Sequence, residues 1–356
     1  MVCERLRYPF GAVLRQRRGW QKVTGRIEPA ALNRCIWIPA FSLVHGKNAG
    51  DFLFRRFSMK VLCFGSLNLD HVYRVHSIVR PGETISSLGV ETHCGGKGLN
   101  QSIALAKAGA PVWHAGAVGE DGQVLIQCLQ VAGVHTTLIE HLDGPNGSCV
   151  IQVDDAGQNS IVLFGGTNQR IDRTYVDEVF THLGKGDLLL LQNEISCLSY
   201  ILKKAAANQM KVILNPSPMT KELMTMDLSA VSLFILNEVE GGDLTGETDP
   251  DRILDGLGKC YPNAEVVLTL GGSGSCFRGN GKIIRQKAYP VQAVDTTAAG
   301  DTFTGYFIAD YYASGNAAHA LDLASRASAI AVTRPGAADS IPLRTDVERW
   351  DSKKEK

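Results

Sequence analysis

The sequence predicts an α/β fold: a mainly parallel central sheet flanked by helices on both faces, with a small antiparallel β lid. Three observations predict it. From Met59 onward short β-rich apolar runs alternate with helical stretches. Those runs are apolar at every position instead of every second one, as in strands covered on both faces. Two segments then break the alternation and read as ribbons of paired strands. The strand runs lie at 61–64, 112–117, 188–191, 212–214, 233–236 and 266–270, and the stretch 197–208 between two of them has a helical pattern. The ribbons pair 72–78 with 85–94 and 148–153 with 160–164, the second turning at Asp154-Asp-Ala-Gly157. In open sheets of this kind, ligands bind at the carboxyl ends of the strands.

Composition fits a soluble enzyme. The chain has 356 residues, 44% hydrophobic and 20% charged, enough for one large core or two smaller ones. Zero net charge gives no global reason to expect nucleic acid, and no run approaches the ~20 apolar residues of a membrane span. The nine cysteines are scattered without Cys-x-x-Cys pairs, which argues against a disulfide framework and a zinc knuckle and suits reduced thiols in a cytoplasmic protein. Charge is uneven along the chain. Residues 1–58 hold 11 Lys and Arg against 3 Asp and Glu and have no clear period, so they read as a basic extension outside the core. A transit peptide, a mistranslated upstream region joined to a native start at Met59, and a disordered arm all fit that pattern. The core domain is expected over 59–345, and 346–356 read as a polar tail.

Two motifs carry chemistry. In Asp295-Thr-Thr-Ala-Ala-Gly-Asp-Thr-Phe-Thr-Gly305, small residues and one carboxylate stand where an apolar helix begins, a helix that ends at Gly315. A helix start offers unpaired N–H groups and the positive end of its dipole, and Ala298, Ala299 and Gly300 would let a phosphoryl group approach them. Asp301 would be the base beside that anion hole; alternatively it only caps the helix. The second motif, Cys94-Gly-Gly-Lys-Gly-Leu-Asn-Gln101, is a glycine loop opening into an alanine-rich helix, with Lys97 and Asn100 as donors. It lacks the Walker A frame, and no Gly-x-Gly-x-x-Gly follows the first strand, which disfavours an NAD-linked oxidoreductase.

These motifs and others in fixed order make the chain similar to the ribokinase-like carbohydrate kinases. The resemblance runs through Gly65-Ser-Leu-Asn-Leu-Asp70, Pro81-Gly-Glu-Thr84, Gly116-Ala-Val-Gly-Glu-Asp-Gly122, Leu191-Gln-Asn-Glu194, Asn215-Pro-Ser-Pro218, Asn237-Glu-Val-Glu240, Thr269-Leu-Gly-Gly272 and Ala331-Val-Thr-Arg-Pro-Gly336. It implies an ATP-dependent kinase acting on the primary hydroxyl of a sugar, with D-ribose the first expectation. Fructose, another pentose or a nucleoside stay open, as does a sugar-binding regulator on a kinase fold, although a regulator would have no use for Asp301.

Residue by residue, the resemblance implies Asp301 as catalytic base and Asn68, Asp70, Gly96, Lys97, Asn100 and Glu194 around the sugar. It implies Asn215, Asn237, Thr269, Gly271 and Gly272 on the ATP side, and Mg2+ near Asn237 and Glu240. The Asn237/Glu240 pair also reads as a helix capping box, and both readings can hold. For a monovalent cation, K+, it implies Asp295, Thr297, Ala331, Arg334, Gly336 and Ser340. The ribbons would form a lid over the sugar and pair two subunits in a homodimer.

Overall fold

The computed structural model describes residues 59–350, and before them only the backbone of one hairpin, β1 (Val13–Gln16) paired antiparallel with β2 (Gly19–Lys22). Apart from that hairpin, the basic extension lies outside the described residues, as does 351–356.

The central sheet is built from β3 (Val61–Phe64), β6 (Val112–Val118), β7 (His135–His141), β10 (Leu188–Gln192), β11 (Lys211–Asn215), β12 (Val231–Asn237), β13 (Glu265–Thr269), β14 (Ser275–Gly279) and β15 (Lys282–Gln286). Their order is β15-β14-β13-β12-β11-β10-β3-β6-β7, parallel from β13 to β7 and antiparallel at the β14-β15 edge. The uniformly apolar runs make sense here. Val61 and Cys63 of β3 enter one core while Leu62 and Phe64 enter the other, all four at 0% exposure. Side chains alternate across a strand, so a strand with helices on both faces must be apolar at every position. The helices Lys97–Lys107, Ala299–Ser314 and Ala317–Val332 cover one face. Arg173–Phe180, Leu198–Ala207 and Pro250–Cys260 cover the other.

Three strands of the central sheet were not anticipated: β7, β14 and β15. β7 reads His-Thr-Thr-Leu-Ile-Glu-His, is half exposed along its length and sits at a sheet edge, so it lacks the apolar signature of a central strand.

The second sheet has the order β5-β4-β8-β9, from β4 (Asn68–Arg74), β5 (Gly89–Gly95), β8 (Gly147–Val153) and β9 (Asn159–Phe164). Each ribbon is antiparallel as expected, but β4 and β8 join them through a parallel pairing. The first ribbon also starts earlier than 72: Asn68 pairs with Gly95 and Asp70 with His93. That shift brings Asp70 to the base of the lid. At the far end, the boundary expected at 345 falls inside a helix, Arg344–Arg349, whose Val347 is fully buried. Trp350 then packs edge-on against Tyr289, so packing continues to that residue.

Candidate active site

The helix Ala299–Ser314 is the floor of the site. It follows Ala298, held in the left-handed region at φ 57°, and Thr302 N–H makes the first helical bond, 2.8 Å to the Ala298 carbonyl. Ala299 N–H is engaged with Thr296 O at 3.3 Å, so it is not the open donor expected of it. Gly300 and Asp301 N–H have no acceptor among the described residues, and a methyl group on Gly300 would meet only open space. Two donors therefore face the cleft at the positive end of a sixteen-residue helix.

Asp301 does not cap that helix. Its position is set by a second helix, Lys97–Lys107, which can come close because Gly305 has no Cβ: one placed there would lie 2.4 Å from Ala104 Cβ. Across this contact Asn100 Nδ2 donates to Asp301 Oδ2 (3.1 Å) and Gln101 Nε2 to Oδ1 (2.9 Å). Asp301 is 8% exposed, yet both of its oxygens are bonded.

The glycine loop forms the adjoining wall. Gly96 stands at φ 92°, a conformation that other residues rarely adopt, with Ser66 and Asn68 backbone atoms 3.1 Å from where a Cβ would be. Ser66 joins the loop to Glu194: its hydroxyl donates to Glu194 Oε2, which also accepts Lys97 N–H at 3.1 Å. Burial raises the Glu194 carboxyl against the opposing pull of Lys97 and these bonds. Burial would also depress the Lys97 ammonium, but Asp301, Glu194 and Glu240 together outweigh it and hold the group above its ordinary value. Asp70 is pushed up to about 6, chiefly by burial, with Glu194 and Asp301 adding to the shift. Its Oδ1 is buried without a partner, an acceptor that a ligand hydroxyl would satisfy. Asn68 also has a structural part. It is 2% exposed and its Oδ1 accepts from Asn168 Nδ2 (2.7 Å), so it braces the start of the lid.

Beyond the floor lies a cavity of about 230 Å³ bordered by Lys97, Asn237, Glu240, Thr269, Gly300 and Asp301. Lys97, expected on the sugar side, thus also borders this compartment. Asn237 and Glu240 do form the capping box: Asn237 Oδ1 accepts Glu240 N–H at 2.9 Å and Glu240 Oε2 accepts Asn237 N–H at 3.1 Å. Thr269 donates to Leu236 O at 3.4 Å, while Gly271 and Gly272 are exposed beyond it. Asn215 borders the cavity but both ends of its amide are taken, by Gln101 Nε2 (2.9 Å) and Ile235 O (2.9 Å).

The residues expected around a monovalent cation fall on two segments joined by one carboxylate. Asp295 Oδ1 accepts Thr297 N–H and its Oδ2 accepts Gly336 N–H, each at 2.9 Å. These bonds lower the Asp295 carboxyl even though burial opposes them. The Ala331 carbonyl accepts Arg334 N–H (3.0 Å) and the Ser340 hydroxyl donates to Ala337 O (2.8 Å).

Sequence reasoning missed Ser66, Asn168, Gln101 and Gln192. Ser66, Gln101 and Gln192 lie inside quoted motifs, where their position was the one available signal, whereas Asn168 lies in the polar turn Gly166–Arg170 and had none.

A family model described as pfkB family carbohydrate kinase matches residues 58–344. Ribokinase of Haemophilus influenzae is 34% identical over 291 residues, which cover 79% of this chain and 95% of that protein. Ribokinase of Arabidopsis thaliana, solved with ribose and ATP, superposes at a TM-score of 0.72 and 30% identity, covering 82% of this chain and 99% of that one. Ribokinase of Cryptococcus neoformans var. grubii, solved with ADP, gives 0.72 and 33% over the same shares. The family model spans most of the sequence and the Haemophilus influenzae relative is matched over nearly its whole length: the chain belongs to the pfkB family of carbohydrate kinases.

Proposed function

We propose that this enzyme transfers the γ-phosphoryl group of ATP to the primary hydroxyl of D-ribose, giving ribose 5-phosphate. The observation that carries the chemistry is Asp301, a single carboxylate fixed through both oxygens beside the open N–H groups of Gly300 and Asp301. Each bonded oxygen keeps a lone pair, so Asp301 accepts the proton of the attacking hydroxyl while the two N–H groups stabilise charge on the transferred phosphoryl oxygens. Lys97, held cationic between three carboxylates, adds positive potential on the path between the two substrates.

Asp70 and Glu194 are the sugar's acceptors. Inverting one hydroxyl would leave a buried carboxylate oxygen unpaired, a penalty of roughly 1–3 kcal/mol, so they discriminate epimers. The relatives solved or characterised as ribokinases support ribose over fructose or a nucleoside.

Glu240 fits a Mg2+ role: it is a nearly buried carboxylate bordering the cavity with one oxygen engaged in the capping box, which suits an ion that keeps its waters and contacts few protein groups. Mg2+ would supply charge neutralisation on the phosphates. The Asp295 clasp fits a K+ role, because it joins the two segments whose oxygens would hold the ion and lies directly before the anion-hole turn. On the outer lid, Ile161, Val162, Leu163 and Phe164 are each about half exposed or more, which supports pairing with a second copy. Free thiols at all seven described cysteines suit a cytoplasmic enzyme.

The test is ATP consumption across D-ribose, other pentoses, fructose and nucleosides, with the phosphorylated position identified by NMR. D-ribose should give the highest kcat/KM and a 5-phosphate. A nucleoside or hexose preferred over ribose, or phosphate on another hydroxyl, would overturn the assignment.

A further inference from the structure

We propose that Gln101, oriented by Gln192, is a positioning residue that aims the Asp301 carboxylate at the sugar hydroxyl. The inference rests on Asp301 being the base. Both glutamines are fully buried, and their amides form a relay across three elements. Gln192 Nε2, at the end of β10, donates to Gln101 Oε1 at 2.6 Å. Gln101 Nε2 in turn donates to Asp301 Oδ1 and to Asn215 Oδ1, each at 2.9 Å.

The direction of the relay is fixed from outside the site. Ile235 O is a backbone carbonyl and can only accept, so Asn215 must turn its Nδ2 toward it (2.9 Å) and its oxygen toward Gln101. Gln101 must then present nitrogen to both Asn215 and Asp301, and its remaining oxygen receives Gln192. No member can flip alone without setting two acceptors, or two donors, against each other in a buried space. Gln192 is wedged as well: a Cβ on Gly65 would lie 2.2 Å from its Oε1. A donor is therefore held at Asp301 Oδ1 before any substrate arrives, while Asn100 holds Oδ2. The carboxylate plane cannot rotate away from the anion hole without breaking both bonds.

Gln101 bonds to Asp301, Asn215 and Gln192 and does not border the cavity, so its loss should act through the carboxylate on the transfer step. Gln101→Met keeps length and removes the donor. Expected is a kcat lower by about tenfold or more, the scale of losing orientation at a reacting group, with KM for the sugar and ATP unchanged within about twofold. On an Asp301→Asn background the same substitution should change the residual rate by less than about twofold, because there is no base left to aim. Gln192→Met should lower kcat in the same direction by less, and carries the comparison if Gln101→Met fails to fold. Parent-level kcat in the glutamine variants, or an equal loss with and without the Asp301 carboxylate, overturns the relay. Normal turnover in Asp301→Asn would instead overturn the base; collapsed Asp301→Asn beside unaffected glutamine variants removes only the relay.

Discussion

The two sheets of this enzyme are covered to different degrees, and the division matches a division of labour. In the central sheet, β3 and β10 are buried on both faces, and the helix carrying Asp301 packs directly on the helix carrying Asn100 and Gln101. In the lid sheet, β9 has no comparable cover: Ile161 is 55% exposed and Val162 65%. Groups that must be held to tenths of an ångström belong to the first region. Asp70, the proposed sugar acceptor, stands at the base of the second, in β4. Glu194, the other proposed acceptor, follows β10, so recognition would draw on both sheets while the transfer groups sit on the central one alone; loss of the Asp70 or of the Asp301 carboxylate should then appear in different kinetic constants.

The sharpest way to break that separation is at Asp70. Asp70→Ala removes a charged acceptor from sugar hydroxyls, so KM for the sugar should rise roughly ten- to hundredfold while KM for ATP stays near the parent value. Steady-state kinetics with each substrate varied in turn would reveal it. An equal rise in both constants would mean the lid and the nucleotide cavity are one unit.

A smaller effect is expected on the floor side. If the Asp295 clasp orders the anion-hole turn around K+, replacing Na+ by K+ at constant ionic strength should raise kcat more than it lowers either KM, since the ion would act where phosphoryl charge develops. Coincident rates at saturating substrates would remove the cation from the account.

The smallest effect concerns the cost of keeping Asp70 ready. Burial raises its carboxyl to about 6, so between about pH 4 and 6 the folded protein binds more protons than the unfolded chain. The sign follows: this group's contribution to stability declines as pH rises through that window and is flat above it. Asp70→Asn cannot ionise and lacks the decline. Its stability relative to the parent should therefore grow between pH 4 and 7 by at most ~3 kcal/mol, measured by denaturant unfolding without sugar. A difference that is constant with pH would contradict the burial of Asp70.

How much of this was legible in the sequence follows from the same contrast. Strands such as β3 and β10 were readable because burial on both faces demands apolar residues throughout, and Asn237 with Glu240 was readable because capping is local. β7 was not, since an edge strand need not be apolar. The parallel joining of β4 to β8 was hidden because register depends on contacts between distant residues, such as Asn168 with Asn68. In the candidate site, the carboxylates proposed to act stood inside recognisable motifs. The division of backbone donors did not: that Ala299 N–H is engaged while Gly300 N–H is open depends on the turn at Ala298, which no side chain announces. Gln192 carried little signal, because an amide ending an apolar strand looks like the strand's boundary.

The central claim is that the covered floor performs the transfer, and Asp301→Asn tests it most directly when binding and turnover are measured on the same protein. Calorimetric titration should give affinities for D-ribose and ATP close to the parent's, while kcat falls by roughly 10² to 10⁴, the usual cost of losing a general base. Turnover near the parent rate with binding intact would contradict the account.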